Sequence, residues 1–230
     1  MKRLADERKI ARNARLGKIL MYGGLVIVVV GMFVVSRNPD WSTFALVPAL
    51  AGLMAVQFGS AFMARWSRRP RLDEVADDTL KGLDGRYALL HYELATPHAL
   101  FAPSGVYALI LRTEDGEIRY RDGRWERTTT GRGLRRGGTR TIRSVETLAR
   151  SDAEAMASAL RKRLPEAAQI PVEPLLMFIH PRAVVHSESS PIPAFHAKKA
   201  KEAVRRLPKH AAVTEEQLAQ LAQRLRLVAP

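Results

Sequence analysis

The chain has 230 residues, with 37 Lys and Arg against 23 Asp and Glu, and no Cys. That length allows one or two domains. The absence of Cys excludes a disulfide framework, a thiolate nucleophile and any Cys-ligated zinc or iron–sulfur centre. A net charge of +14 points to an anionic partner, either nucleic acid or a membrane surface, and its distribution separates the two.

Residues 1–18 carry seven basic and two acidic side chains. Ile19 to Val35 then holds no charge, and neither does Phe44 to Met63. Residues 65–71 add four arginines, Arg65, Arg68, Arg69 and Arg71. A helix crosses a bilayer core with roughly 17–25 apolar residues, so the two charge-free runs predict two transmembrane helices joined by a short loop. No small-residue cleavage site follows the first run, which argues against a removed signal peptide. Basic residues flank both outer ends and not the loop, so the expected topology has both termini in the cytoplasm, at the plasma membrane. Trp41 and Trp66 bracket the second span as interfacial aromatics would.

Ala45, Ala49, Gly52, Ala55 and Gly59 recur at spacings of three and four along the second span, and Gly24 and Gly31 give the first a similar face. Such faces let helix backbones approach closely. Packing of the spans against each other is the expected use, and self-association of the chain is the alternative. Neither span contains an ionisable residue, which favours an anchor over a conduit.

Residues 72–230 are enough for one domain with its own core. The pattern predicts a helix over Asp73–Leu83 and strands at Tyr87–Leu94, Ala99–Ala102 and Val106–Leu111. A hairpin turn is expected at Asp115-Gly116, a strand over Ile118–Tyr120 and a second turn at Asp122-Gly123. A basic loop spans Thr128–Arg140. There follow a helix over Ser144–Leu164 with Leu148, Met156 and Leu160 inward, strands at Pro174–Ile179 and Ala183–Val185, and helices over Ala197–Leu207 and Thr214–Leu225. The order implies an α/β domain with one mixed sheet. The organisation is therefore a basic segment (1–18), a helical hairpin (19–64), a basic linker (65–71) and a cytoplasmic domain (72–230).

The stretch Pro97-His98-Ala99-Leu100-Phe101-Ala102-Pro103-Ser104-Gly105-Val106-Tyr107-Ala108-Leu109-Ile110 resembles the central signature of the nuclease-related (NERD) domain family. Gly116, Trp125 and Glu74 match further features of that family. The resemblance covers most of residues 72–226 and implies a restriction-endonuclease-like fold. It also implies an active site with an Asp on one strand and an acid-x-Lys on the next, holding Mg²⁺ beside a phosphodiester. Here those positions carry Pro97, Ile110 and Arg112. Isoleucine binds no metal and arginine stays protonated. The resemblance thus implies the fold with a degenerate catalytic site, and no cofactor.

The expected function is a membrane-anchored binding or scaffolding module. Arg132, Arg135, Arg136 and Arg140 in the Gly/Arg loop, with Lys198, Lys199, Arg205 and Arg206 on a basic helix, are its candidate contacts to nucleic acid or anionic lipid. One alternative is an Mg²⁺-dependent nuclease using relocated carboxylates, Glu93 and Glu114. Another is a purely structural membrane protein. Glu114, Asp115 and Glu117 read as a solvated turn. The six histidines show no metal-ligand spacing and no obvious acidic partner.

Overall fold

The computed structural model describes residues 1–131, 137–163, 165, 170–208 and 216. The Thr214–Leu225 helix expected from the sequence lies outside these residues except at Glu216, and Arg132, Arg135, Arg136 and the Trp41 side chain lie outside them too. The chain divides into two compact units, Asp6–Leu72 and the remainder, Met1–Ala5 with Asp73–Pro230.

The first unit is a helical hairpin. Helix α1 (Glu7–Arg37) starts at Asp6, whose side chain accepts a hydrogen bond from the Lys9 N–H at 2.8 Å. At 1.5 Å per residue its 31 residues reach about 46 Å, well beyond a bilayer core of about 30 Å. The basic segment expected as a separate piece is thus mostly helix, with Arg8, Lys9, Arg12, Arg15 and Lys18 on the turns that precede the apolar stretch. A 3-10 turn at Pro39–Trp41 leads into α2 (Ser42–Trp66).

The two helices meet along glycines. A Cβ added at Gly24 would lie 2.6 Å from the Gly52 carbonyl oxygen, and one at Gly52 would lie 2.8 Å from that of Gly24. One at Gly59 would collide with the Met21 backbone. The seam on α1 is Gly17 and Gly24; Gly31 faces open space, contrary to the expected pairing of Gly24 with Gly31. Trp66 is buried, with the Arg65 guanidinium over its ring.

The second unit contains α3 (Leu72–Leu80) almost entirely, and strands β1 (Lys2–Ala5), β2 (Ala88–His91), β3 (His98–Ala102), β4 (Gly105–Arg112), β5 (Gly116–Arg121), β6 (Arg124–Thr129) and β7 (Gly138–Ile142). Helix α4 (Val145–Arg163), strands β8 (Val172–Phe178), β9 (Ala183–His186) and β10 (Ala194–His196), and helix α5 (Ala200–Arg206) complete it. Two sheets form instead of one. The larger runs β1-β2-β3-β4-β8-β10 and the smaller β7-β6-β5-β9. Antiparallel pairing joins β2, β3 and β4, whereas β1, β8 and β10 lie parallel to their neighbours.

Alternation along the strands assigns each face of the large sheet. Leu89, Leu100, Leu109 and Met177 pack with Ala76 and Leu80 of α3 and Val204 of α5. Leu90, Phe101, Val106 and Ala108 face Ala153, Met156 and Leu160 of α4. A third cluster joins Ile118 and Trp125 of the small sheet to Val145, Ala149 and Phe178. Leu148 is exposed and does not belong to the inward face of α4 assigned from the sequence.

Two further readings are corrected. Asp115-Gly116 makes no hairpin, because β4 and β5 belong to different sheets. Gly116 has φ +86°, and a Cβ there would strike the Thr128 carbonyl, so glycine serves the close approach of β6. Strands run into both ends of the basic loop expected over Thr128–Arg140. β6 continues to Thr129 and β7 begins at Gly138, paired antiparallel with Thr128 opposite Thr139.

Candidate functional site

The β3–β4 hairpin positions the three residues that replace the expected catalytic set. Its register pairs Ala99 with Ala108 and Leu100 with Tyr107, and the same register carried one step past His98 sets Pro97 opposite Ile110. Ile110 is half-buried and packs against both the α4-facing core and the cluster around Trp125. Arg112 closes β4. Its Nε donates to Glu114 at 3.1 Å and its Nη2 to the other oxygen of the same carboxylate. The backbone carbonyl of Arg112 accepts from Ile179 N–H at 2.9 Å, which fixes the end of the strand against β8.

Beyond Arg112 the chain gathers arginines on two neighbouring carboxylates. Asp115 accepts from Arg182 Nη2 at 2.8 Å and from Arg127 Nη2, while Arg127 Nε donates to the Asp115 carbonyl at 2.8 Å. Arg140 of β7 stands directly across from Arg127 and makes no ion pair among the described residues. Four guanidiniums against Glu114 and Asp115 leave two positive charges in excess. An arginine has five donors in a planar fork, so carboxylates that orient it leave other N–H groups for an oxyanion.

The carboxylates expected as a solvated turn are each matched to a cation. Glu117 contacts Arg119 at 2.6 Å and His186 at 3.3 Å. The Arg119 hydrogen bond holds its carboxyl below the usual range. Glu114, offered above as a relocated metal ligand, is engaged by Arg112. Glu93 is half-buried in the segment between β2 and β3. Among the described residues, no group of three or more His, Asp or Glu converges to hold a metal ion.

The second basic strip is less continuous than its sequence. Lys198 and Lys199 lie exposed in a 3-10 turn, where Lys198 N–H donates to His196 Nδ1 at 3.1 Å. Arg206 pairs with Glu202 at 2.7 Å, while Arg205 makes no ion pair among the described residues. Of the four arginines expected as contacts in the Gly/Arg loop, only Arg140 lies among the described residues; Arg112, Arg127 and Arg182 are arginines that sequence reasoning did not name as contacts.

The histidines bring the largest correction. His91 and His98 face each other across β2 and β3 with their Nδ1 atoms 2.7 Å apart. His91 Nε2 lies 3.1 Å from Asp77 Oδ1, and Arg3 Nε lies 2.5 Å from Asp77 Oδ2. Asp73, fully buried on α3, is 3.9 Å from the Arg3 guanidinium. With Asp77 ionised, His91 Nε2–H donates to it, and of the two Nδ1 atoms one ring donates and the other accepts. At 0% and 3% exposure the two imidazoles are closed to any substrate, so the chain Arg3–Asp77–His91–His98 holds β1, α3, β2 and β3 together. Only the strand register joins two histidines seven residues apart, and no spacing rule reveals it.

Elsewhere burial acts on single groups. Asp152 on α4 is partly buried, which pushes its carboxyl upward. A hydrogen bond to Glu146, with burial behind it, raises the Tyr120 phenol. No protein-family model, curated protein or solved structure matches the chain.

Proposed function

We propose that this chain is a membrane-anchored member of the nuclease-related family whose domain has lost catalysis and binds the backbone of nucleic acid at the membrane surface. One observation carries the reading. Where the family would hold a metal between two carboxylates, the β3–β4 register sets Pro97 against Ile110, and the lysine position is an arginine tied to Glu114. A strand, a Pro-Ser-Gly turn and a second strand occupy the stretch that resembles the family signature. A helix precedes them, and a crossover helix leads to a parallel strand, in keeping with a restriction-endonuclease-like core. The arginines on Glu114 and Asp115, with Arg140 beside them, suit phosphate contacts better than hydrolysis.

Membrane anchoring draws on the hairpin. Both helices are long and apolar enough to cross a bilayer, and only 6% and 11% of their most apolar windows are buried, unlike the core helices of a soluble domain. β1 precedes the hairpin and joins the sheet formed by residues that follow it, so the two flanks belong on one side. The basic excess at both ends makes that side the cytoplasm.

The test uses the full chain in lipid nanodiscs of neutral headgroup. Expected are no cleavage of plasmid DNA or RNA with Mg²⁺ or Mn²⁺ and salt-sensitive binding of both. Arg127→Gln and Arg140→Gln should each lower the salt slope by about one. Metal-dependent cleavage abolished by Glu93→Ala would establish the nuclease alternative. Binding to anionic vesicles without nucleic-acid binding would establish a lipid-docking protein. A reporter fused at Pro230 that works only outside the cytoplasm should stay silent.

A further inference from the structure

A cavity of about 200 Å³ opens where the segment before β2, the β3–β4 turn and the end of α5 come together. It lies at the Gly105 end of β4, whereas Arg112, tied to Glu114, closes the other end. Tyr87, Pro103, Val204 and Leu207 form its apolar walls, and Arg86, Arg205, Asp84 and Ser104 its polar groups.

Its charge is set by one pairing. Asp84 holds Arg86 through Nε at 3.2 Å and Nη2 at 2.9 Å, and also accepts from the Arg86 backbone N–H at 3.0 Å. Those bonds keep the Asp84 carboxyl below the usual range. The pair is neutral as a unit. Arg205 has no ion-pair partner among the described residues, so it is the one lining side chain with an uncompensated positive charge. A hydroxyl lies at the same place: Ser104 is buried and its Oγ makes no hydrogen bond of standard geometry. The buried Tyr107 phenol lies close by, raised by burial, with the Ser104 hydroxyl partly offsetting that rise and Glu173 adding to it.

Size then limits the ligand. Pockets that bury a drug-sized molecule measure roughly 300–1,000 Å³, so a nucleotide or a lipid body is too large. A single compensating charge disfavours a dianion. A guanidinium fork suits a planar carboxylate, and a ring or short chain suits the apolar walls.

We propose that this cavity is a binding site for a small organic monocarboxylate, with Arg205 taking the carboxylate and Tyr87, Pro103, Val204 and Leu207 enclosing the apolar body. The site stands apart from the arginines on Glu114 and Asp115 that carry the nucleic-acid reading, although Arg205 itself is one of the contacts expected from the sequence. Isothermal titration of benzoate into the full chain in neutral nanodiscs tests it. One saturable site is expected, with benzyl alcohol binding about tenfold or more weakly. Arg205→Gln should weaken benzoate by about tenfold, while Arg206→Gln, on the same helix but paired with Glu202, should leave it unchanged. Arg205 is exposed, so its replacement spares the fold, and an unchanged near-ultraviolet circular dichroism signal checks this. Absence of a saturable site, equal affinity for benzyl alcohol, or full affinity in Arg205→Gln would each overturn the assignment.

Discussion

The two units solve opposite packing problems. Among the described residues, the exposed large hydrophobic side chains fall between Leu16 and Phe58, apart from Leu148 and Val184. The hairpin turns Leu25, Val29, Phe33, Phe44 and Val47 outward and brings glycines inward, so its helices are held by close backbone approach. In the sheet unit, Leu89, Leu100, Met156 and Phe178 are sealed inside and, Asp73 apart, the described Asp, Glu, Lys and Arg are not buried. Burial of apolar area drives the second unit, whereas the hairpin leaves most of its large apolar side chains uncovered and meets along glycines through packing contacts. A substitution should therefore act on one unit by removing volume and on the other by adding it.

Removing volume gives the largest expected effect. Phe178→Ala, at the meeting of the sheets, should cost the domain about 3–5 kcal/mol, measured by chemical denaturation followed through Trp125 fluorescence. Gly31→Ala in the hairpin, where nothing lies within 4 Å, should be silent in the same measurement. Adding volume reverses the pattern. Gly59→Val should weaken the hairpin by about 1–3 kcal/mol, read as loss of disulfide cross-linking between cysteines introduced on α1 and α2, with the Trp125 transition unmoved. If Gly59→Val lowers the Trp125 transition instead, the two units are not energetically separate.

Arg3→Ala should cost about 1–3 kcal/mol of domain stability, since it strips Asp77 of its close cation and leaves buried Asp73 with less compensation. An unchanged denaturation midpoint would mean that β1 contributes little. The smallest effect concerns pH. Because burial raises the folded-state value of Asp152 above its ordinary 3.8, its contribution to stability is full below about pH 3.8 and is lost as pH climbs through the raised value. Asp152→Asn should flatten that decline in thermal midpoint between acid and neutral pH. A slope identical to that of the unaltered chain would remove Asp152 as its source.

Much of this contrast was readable from residues alone. Charge-free runs and basic flanks are local signals, as is the apolar run Val106–Leu111 that became β4. The sheet crossing at Gly116 was not readable, because Asp-Gly looks the same whether a chain turns back on itself or passes beneath another strand. Nor was β1. Lys2 and Arg3 serve the charge pattern of a membrane flank and a parallel strand at once, and only long-range pairing with Ala88 and Leu89 reveals the second use. At the candidate site, Pro97, Ile110 and Arg112 could be read directly as residue types. Their opposition across a hairpin, and the arginines gathered by Asp115, required the register and a contact with Arg182 from far along the chain.

The N-terminal strand also sets an order of events in synthesis. β1 leaves the ribosome before both apolar helices, yet its partner β2 is made only after them. The large sheet can close only once the hairpin has been made and the chain has come back to meet its own start. A fragment beginning after the hairpin would lack that strand and leave β2, whose four residues are all buried in the native fold, as an open apolar edge ready to pair with another chain. Hairpin formation and sheet closure are thereby linked: a chain that cannot return to its own start leaves β2 without β1.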